Sequence, residues 1–213
     1  MPHPAPSVLS DPYATSEDQR IDALRGILRG APAVCDILQA MSDVSAPDSW
    51  LVSGGIYQTV WNALTGRNHG HGIKDYDVIY FDGTDLSYEA EDEVITAFAK
   101  AVPALSQMLE VRNQARVHLW YEKRFGRPYA PLTCSLESLT TYAAKTHAVA
   151  VRIGKDGELE VHAPFGLANI FGLRLTPNHV MNNSATYREK AARMISLWPE
   201  LTVVPWEQTA PAK

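Results

Sequence analysis

Cysteine is scarce in this chain of 213 residues: there are two, Cys35 and Cys134, and neither belongs to a C-x-x-C pair. That excludes a disulfide scaffold and a zinc ribbon, and it fits reduced thiols in a cytoplasmic protein. Long apolar runs are missing as well. None approaches the roughly 20 residues of a membrane-spanning helix, so no membrane partner is expected. The opening stretch MPHPAPSVLSDPYATSEDQ has no basic region followed by an apolar core, so it is not a secretory signal. An excess of positive charge is lacking too. The net charge is −5 and the isoelectric point about 5.8. This excludes coating of long nucleic acid by charge alone, though not a local basic groove. No internal repeat is visible.

What is present is an ordinary globular composition, 46% hydrophobic and 20% charged, sufficient for a single buried core. The informative stretch is VSGGIYQTVWNALTGRNHGHGIKDYDVIYFD. An apolar run ends at Ser53-Gly54-Gly55. Ile56, Val60 and Leu64 follow at helical spacing, then a loop rich in Gly and His, then a second apolar run, Val78 to Phe81, entered through Asp75 and Asp77. The pattern predicts strand, glycine turn, helix, loop and strand.

That layout carries chemistry. On a strand, residues i and i+2 face one side, which places Asp75 and Asp77 roughly 6.5–7 Å apart along the backbone. Two carboxylates so placed repel each other unless a cation lies between them, and ligands that are all oxygen suit Mg²⁺ or Mn²⁺. Gly54 and Gly55 leave no Cβ between the chain and a ligand, and the following helix turns its N–H groups and positive dipole end towards that gap. A phosphate cradle beside a metal-binding carboxylate pair points to phosphoryl or nucleotidyl transfer.

Here the chain resembles the DNA polymerase beta superfamily of nucleotidyltransferases, and more closely a bacterial nucleotidyltransferase-like family without an established substrate. Four stretches between about Leu51 and Pro177 carry the resemblance: SGGIYQTVWNAL, KDYDVIYFD, LEVRNQARVHLWY and VHAPFGLANIFGLRLTPN. The superfamily often has Ser as the second turn residue where this chain has Gly55, and the segment between Ile56 and Lys74 is longer than usual. The resemblance implies an α/β (α+β) fold: a mixed, mostly antiparallel sheet with helices on one face. It also implies a third acid from a later strand, which is Glu110, and a nucleoside triphosphate as substrate.

Met108 to Tyr121 alternates, with Leu109, Val111, Ala115, Val117 and Leu119 on one side. Glu110, Arg112, Gln114, Arg116, His118 and Trp120 share the other, so the segment is expected to be one strand with an open polar face. Arg112, Arg116 and Lys74 are then candidates for phosphate contact. Just beyond, YEKRFGRPY interleaves basic and aromatic residues, which reads either as a solvated loop or as a grip on a nucleobase or single-stranded nucleic acid. The H-x-H of His69 and His71, flanked by glycines, reads as a mobile solvated loop rather than as a zinc pair. Glu89, Glu91 and Asp92 are expected to be solvated residues matching a helix dipole.

The organisation expected is a disordered tail over 1–15, a helical pair over 16–48 packed on the core, a nucleotidyltransferase-like domain over 49–205 and a disordered tail over 206–213. The expected function is transfer of a nucleoside monophosphate from a nucleoside triphosphate to an acceptor with release of pyrophosphate. Asp75, Asp77 and Glu110 would hold Mg²⁺, and Ser53, Gly54 and Gly55 would hold the phosphates. The acceptor is left open between a small molecule, a protein and an RNA end. The alternatives are an inactive nucleotide- or RNA-binding relative and a metal-dependent hydrolase built on His69, His71 and the aspartates.

Overall fold

The structure, a computed structural model, describes residues 6–11 and 13–209. After a short α1 (Pro6–Leu9), two helices precede the sheet: α2 (Glu17–Arg29) and α3 (Pro32–Val44). Ser16 and Gln19 close a reciprocal capping box at the start of α2. Pro32 occupies the first turn of α3, where no N–H is needed.

The main sheet has five strands in the order β3-β2-β1-β4-β5. These are β1 (Trp50–Val52), β2 (Tyr76–Tyr80), β3 (Leu109–Asn113), β4 (Ala150–Ile153) and β5 (Leu159–His162). Every neighbouring pair is antiparallel except β2–β3, which is parallel. The fold is therefore the mixed, mostly antiparallel α/β arrangement expected. The parallel pair is joined by α5 (Tyr88–Ala101), as a parallel crossover requires.

Two rows of side chains explain the layering. Val151, Leu51, Val78 and Val111 are register partners across four strands, and all four are buried in the main core against the helices. The next row, Ala150, Val52, Asp77 and Glu110, must face the other side of the sheet. There Val52 and Ala150 join Trp50, Ile79, Leu139 and Ala148 in a small second apolar cluster. The two acids continue that row beyond the cluster, where the apolar cover ends.

The central helix α4 (Gly54–Leu64) is buried from Gly54 to Asn62. Its Trp61 indole donates to the carbonyl of Ile170 in α7 (Ala168–Phe171), and Asn62 accepts from the indole of Trp198. Trp198 closes α8 (Ser184–Leu197), and β6 (Arg174–Leu175) pairs with β7 (Thr202–Val203) in a separate two-stranded sheet. Among the described residues no helix is long and apolar enough to cross a membrane.

The structure departs from expectation in several places. The alternating segment 108–121 is not one strand. β3 stops at Asn113, and after a single 3₁₀ turn the chain runs into α6 (Val117–Phe125). The stop has a cause: the Asn113 carboxamide accepts from the N–H groups of Asp82 and Ala115 and donates to the carbonyl of Asp82. Leu119, expected in the core, is consequently exposed. Part of the expected N-terminal tail is folded, with Leu9 buried and Arg20 donating to the carbonyls of Leu9 and Asp11. Trp206, in the expected C-terminal tail, lies against the rings of His179 and Tyr187, while 210–213 lie outside the described residues.

Candidate active site

The turn between β1 and α4 is held in an uncommon conformation. Ser53 has φ 56° and ψ −116°, a region that favours glycine and costs a residue with a Cβ on the order of 1–3 kcal/mol. Its N–H is tied to the carbonyl of Val149, and its own carbonyl accepts from Ile56 and Tyr57, which starts α4. The first-turn N–H groups of Gly54 and Gly55 have no carbonyl four residues back within the helix.

The two glycines differ. A Cβ on Gly54 would meet only the flexible amide of Gln58, at 2.9 Å, with the carbonyl of Asp75 3.9 Å away. A Cβ on Gly55 would strike the ring of Tyr76 at 2.6 Å. Gly55 therefore has a packing reason to be glycine that the sequence does not reveal. Gly54 is the one whose bare face lies along the entrance to the acidic strand.

Strand register links that turn to the acids. Val52, the last residue of β1, pairs with Asp77, so the turn begins one residue beyond Asp77's partner. On its other side Asp77 pairs with Glu110 in parallel register. Asp75 precedes Asp77 by two residues. Asp77 is partly buried, and its carboxyl is raised from 3.8 to about 7. Burial is the main cause, followed by the negative charges of Asp75 and Glu110, and Lys190 and Arg112 oppose the shift. Asp77 thus feels the charge of both neighbouring carboxylates. Among the described residues no three His, Cys, Asp or Glu side chains already converge as a metal site. The donor set is nonetheless all oxygen and mutually repelling at neutral pH, which is the chemistry a hard divalent cation relieves.

Asp77 and Ser53 open onto a cavity of about 290 Å³, whose opposite wall is α8 and the segment before it. Lys190 reaches it from α8, with Asn183 and Thr186 on the same wall. His147 lines it from behind. That ring is 1% exposed and stacked on Tyr57 at 4.6 Å, and its Nε2 has no hydrogen-bond partner. Burial and the charge of Lys190 hold the imidazole well below its usual pKa, so it is neutral at pH 7. Sequence reasoning missed both residues. Asn183, Thr186, Lys190 and Arg193 do recur at helical spacing, which is the one signal that could have marked this face of α8.

The other candidates scatter. Arg112 is exposed beside Glu110, with a hydrogen bond to the carbonyl of Val111. Lys74 is exposed at the entrance to β2, where Arg193 of α8 donates to the carbonyl of Gly72. Arg116 is not on an open face. It lies past the far end of β3, ion-paired with Glu91 and bonded to the carbonyl of Leu86. Glu91, expected to be solvated, is buried there and also accepts from the N–H of Asn113. The histidine loop is structural where it touches the protein. His71 contacts the carbonyl of Leu197 and lies edge-on to Trp198, and Asn62 donates to the carbonyls of both His69 and His71.

A mixed sheet with a strained strand–glycine–helix turn set against acids on the adjoining strands is the architecture of a nucleotidyltransferase. The comparisons agree: residues 39–203 match the model of a nucleotidyltransferase family, and the chain belongs to that family. It is also similar to a solved structure described as revealing a CCA-adding enzyme head domain. The identity is 24% and the TM-score 0.69, over 85% of this chain and 94% of that one, a likeness of fold. No curated protein matches the chain.

Proposed function

We propose that this protein transfers a nucleoside monophosphate from a nucleoside triphosphate to an acceptor hydroxyl, with release of pyrophosphate, in a reaction dependent on Mg²⁺ or Mn²⁺. The observation that carries the proposal is the register Val52–Asp77–Glu110, which sets two carboxylates side by side next to the turn at Ser53, with Asp77 and Ser53 opening onto one cavity.

Asp75, Asp77 and Glu110 would hold the metal, which when bound would supply charge neutralisation on the phosphates and a lowered pKa for the acceptor hydroxyl. The first-turn N–H groups of α4 receive phosphate oxygens, favoured by the helix dipole and by the missing Cβ of Gly54. Lys190 faces them from α8 and balances charge on the leaving pyrophosphate. Glu110 accepts the proton of the attacking hydroxyl. The strained Ser53 holds the turn in place before substrate arrives, so less ordering remains to be done at binding.

The test is incubation with each α-labelled nucleoside triphosphate, Mg²⁺ and cell extract, comparing wild type with Asp77→Asn. Label transfer and pyrophosphate release that vanish in the variant support the reading. Triphosphate binding that is indifferent to metal, with no pyrophosphate released by either protein, overturns it in favour of a binding module.

A further inference from the structure

A second cavity adjoins the first, and no step assigned so far uses it. It measures about 450 Å³ and is lined by Glu110 and Arg112 from β3 and by Trp120, Tyr121, Arg124 and Phe125 from α6. Tyr121, Phe125 and Tyr142 line both cavities, so the two share a wall. The division of acids is asymmetric: Asp77 opens to the cavity with the Ser53 turn and Lys190, and Glu110 opens to the cavity with the α6 rings. If the triphosphate occupies the side with the helix N-terminus and Lys190, the acceptor is left the side of Glu110.

The chemistry of that side is specific. Tyr121 and Phe125, one helical turn apart, have ring centroids 4.7 Å apart, and Tyr129 extends the series at 4.5 Å from Tyr121. The Arg124 guanidinium lies 5.9 Å from the centre of Trp120 and 5.4 Å from that of Phe125. Arg112 and Arg124 are exposed and have no carboxylate partner among the described ion pairs, and Lys123 continues the positive charge outward. Aromatic rings beside guanidinium groups that no carboxylate neutralises match bases joined by phosphates. Exposure argues for a chain rather than a small molecule. Small ligands are typically enclosed over roughly 70–90% of their surface. Here Phe125 remains 49% exposed, and Lys123 and Arg124 beside it are exposed as well.

We infer that this groove binds the single-stranded 3′ end of a nucleic acid as the acceptor, with terminal bases against the α6 rings and phosphates on Arg112 and Arg124. The inference rests on the transferase reading for its chemistry. The terminal hydroxyl oxygen bonds to the α-phosphorus of the triphosphate. The bond from that phosphorus to the bridging oxygen breaks, and its electron pair leaves with pyrophosphate. The hydroxyl proton passes to Glu110. The acidic overall charge is no obstacle, because a few local cations at one strand end suffice for a short footprint.

The experiment separates binding from chemistry. Fluorescence anisotropy with short labelled single-stranded RNA, single-stranded DNA of the same sequence and a blunt RNA duplex reads the groove directly. Calorimetry with a nucleoside triphosphate and Mg²⁺ reads the other cavity. Single strands are expected to bind more tightly than the duplex, and the RNA and DNA arms decide between the two sugars. Arg124→Glu and Trp120→Ala, at residues that line this cavity and not the other, are each expected to weaken the single strand about tenfold or more while leaving triphosphate affinity within about twofold. Their melting curves confirm folding. An oligonucleotide with a free 3′ hydroxyl should take label from an α-labelled triphosphate, and one blocked at that position should bind but take none. Triphosphate binding without any single-strand binding, or label that goes to a protein or small molecule instead, overturns the acceptor assignment and leaves the transferase reading standing. Loss of triphosphate binding and pyrophosphate release overturns that reading, while anisotropy still decides what the groove holds.

Discussion

Asp77 and Glu110 are register partners on the only parallel strand pair of the main sheet, and both point away from the helical core. Their closeness is unfavourable for the protein alone. Burial and the neighbouring negative charges raise the Asp77 carboxyl from 3.8 to about 7. Between those values the folded state holds a proton that the unfolded chain releases, so stability from this group is present at low pH and lost as pH rises towards 7. In metal-free protein, the difference in unfolding free energy between wild type and Asp77→Asn should therefore grow between about pH 5 and pH 8, by a few kcal/mol at most. Denaturant melts at several pH values measure it. No change in that difference would mean that neither burial nor the neighbouring acids raise the Asp77 carboxyl.

The same proton competes with a cation. If the ionised form of Asp77 is a metal ligand, as proposed, apparent Mg²⁺ affinity should be about tenfold weaker at pH 6 than at pH 8, and Mg²⁺ should raise the melting temperature more at the higher pH. Titration of Mg²⁺ followed by thermal melting reads both effects without any turnover. Equal affinity at the two pH values would remove Asp77 from the ligand set.

Gly54 and Gly55 should separate under mutation. In Gly55→Ala the new methyl meets the Tyr76 ring at 2.6 Å, in a fully packed region, so the protein should lose about 1–3 kcal/mol of stability. In Gly54→Ala the new methyl meets a flexible glutamine amide, so stability should stay within about 1 kcal/mol while triphosphate affinity falls. Chemical denaturation and triphosphate calorimetry on both variants check the contrast. The reverse pattern would move the phosphate cradle off Gly54.

How far the sequence leads depends on how local each signal is. The β1–turn–α4 and β2 units were legible because their residues are contiguous: a glycine turn after an apolar run, and two aspartates two apart at a strand entrance. Alternation put Glu110 on the polar face, and the family resemblance implied its place beside the aspartates. The end of β3 was not legible, because the alternation of 108–121 continues past Asn113, and the strand stops only where Asp82 and Ala115 take up the Asn113 carboxamide. Arg116 was misplaced for the same reason. His147 was hidden because nothing near it in the chain marks it, and Lys190 carried only the helical spacing it shares with Asn183, Thr186 and Arg193. They reach the site through the packing of α8 and of the loop before β4.

Arg116 gives a test of that misplacement. Its ion pair with Glu91 is nearly buried, with side chains 12% and 10% exposed. Removing one partner leaves an uncompensated charge, so Arg116→Ala should cost about 3–5 kcal/mol of stability. Triphosphate affinity of the remaining folded protein should be unchanged. Thermal melts and calorimetry below the transition measure the two quantities separately. A loss of affinity without a loss of stability would return Arg116 to the phosphate site.

Lys190 is the residue on which the cavity's two walls meet electrostatically. It lowers the pKa of Asp77 from across the cavity and helps to keep His147 neutral. Two consequences follow from removing its charge in Lys190→Met. The triphosphate loses a cation on its leaving group, so kcat/KM should fall, by about tenfold for one exposed charge–phosphate contact. Asp77 loses an opposing positive charge, so the acid limb of the pH–rate profile should move to higher pH. A structural role for Lys190 would lower activity at every pH alike and leave the limb where it is. A shifted limb with an unchanged KM would place Lys190 at the acids but not at the triphosphate, and the phosphate cradle would then rest on the turn of α4 alone.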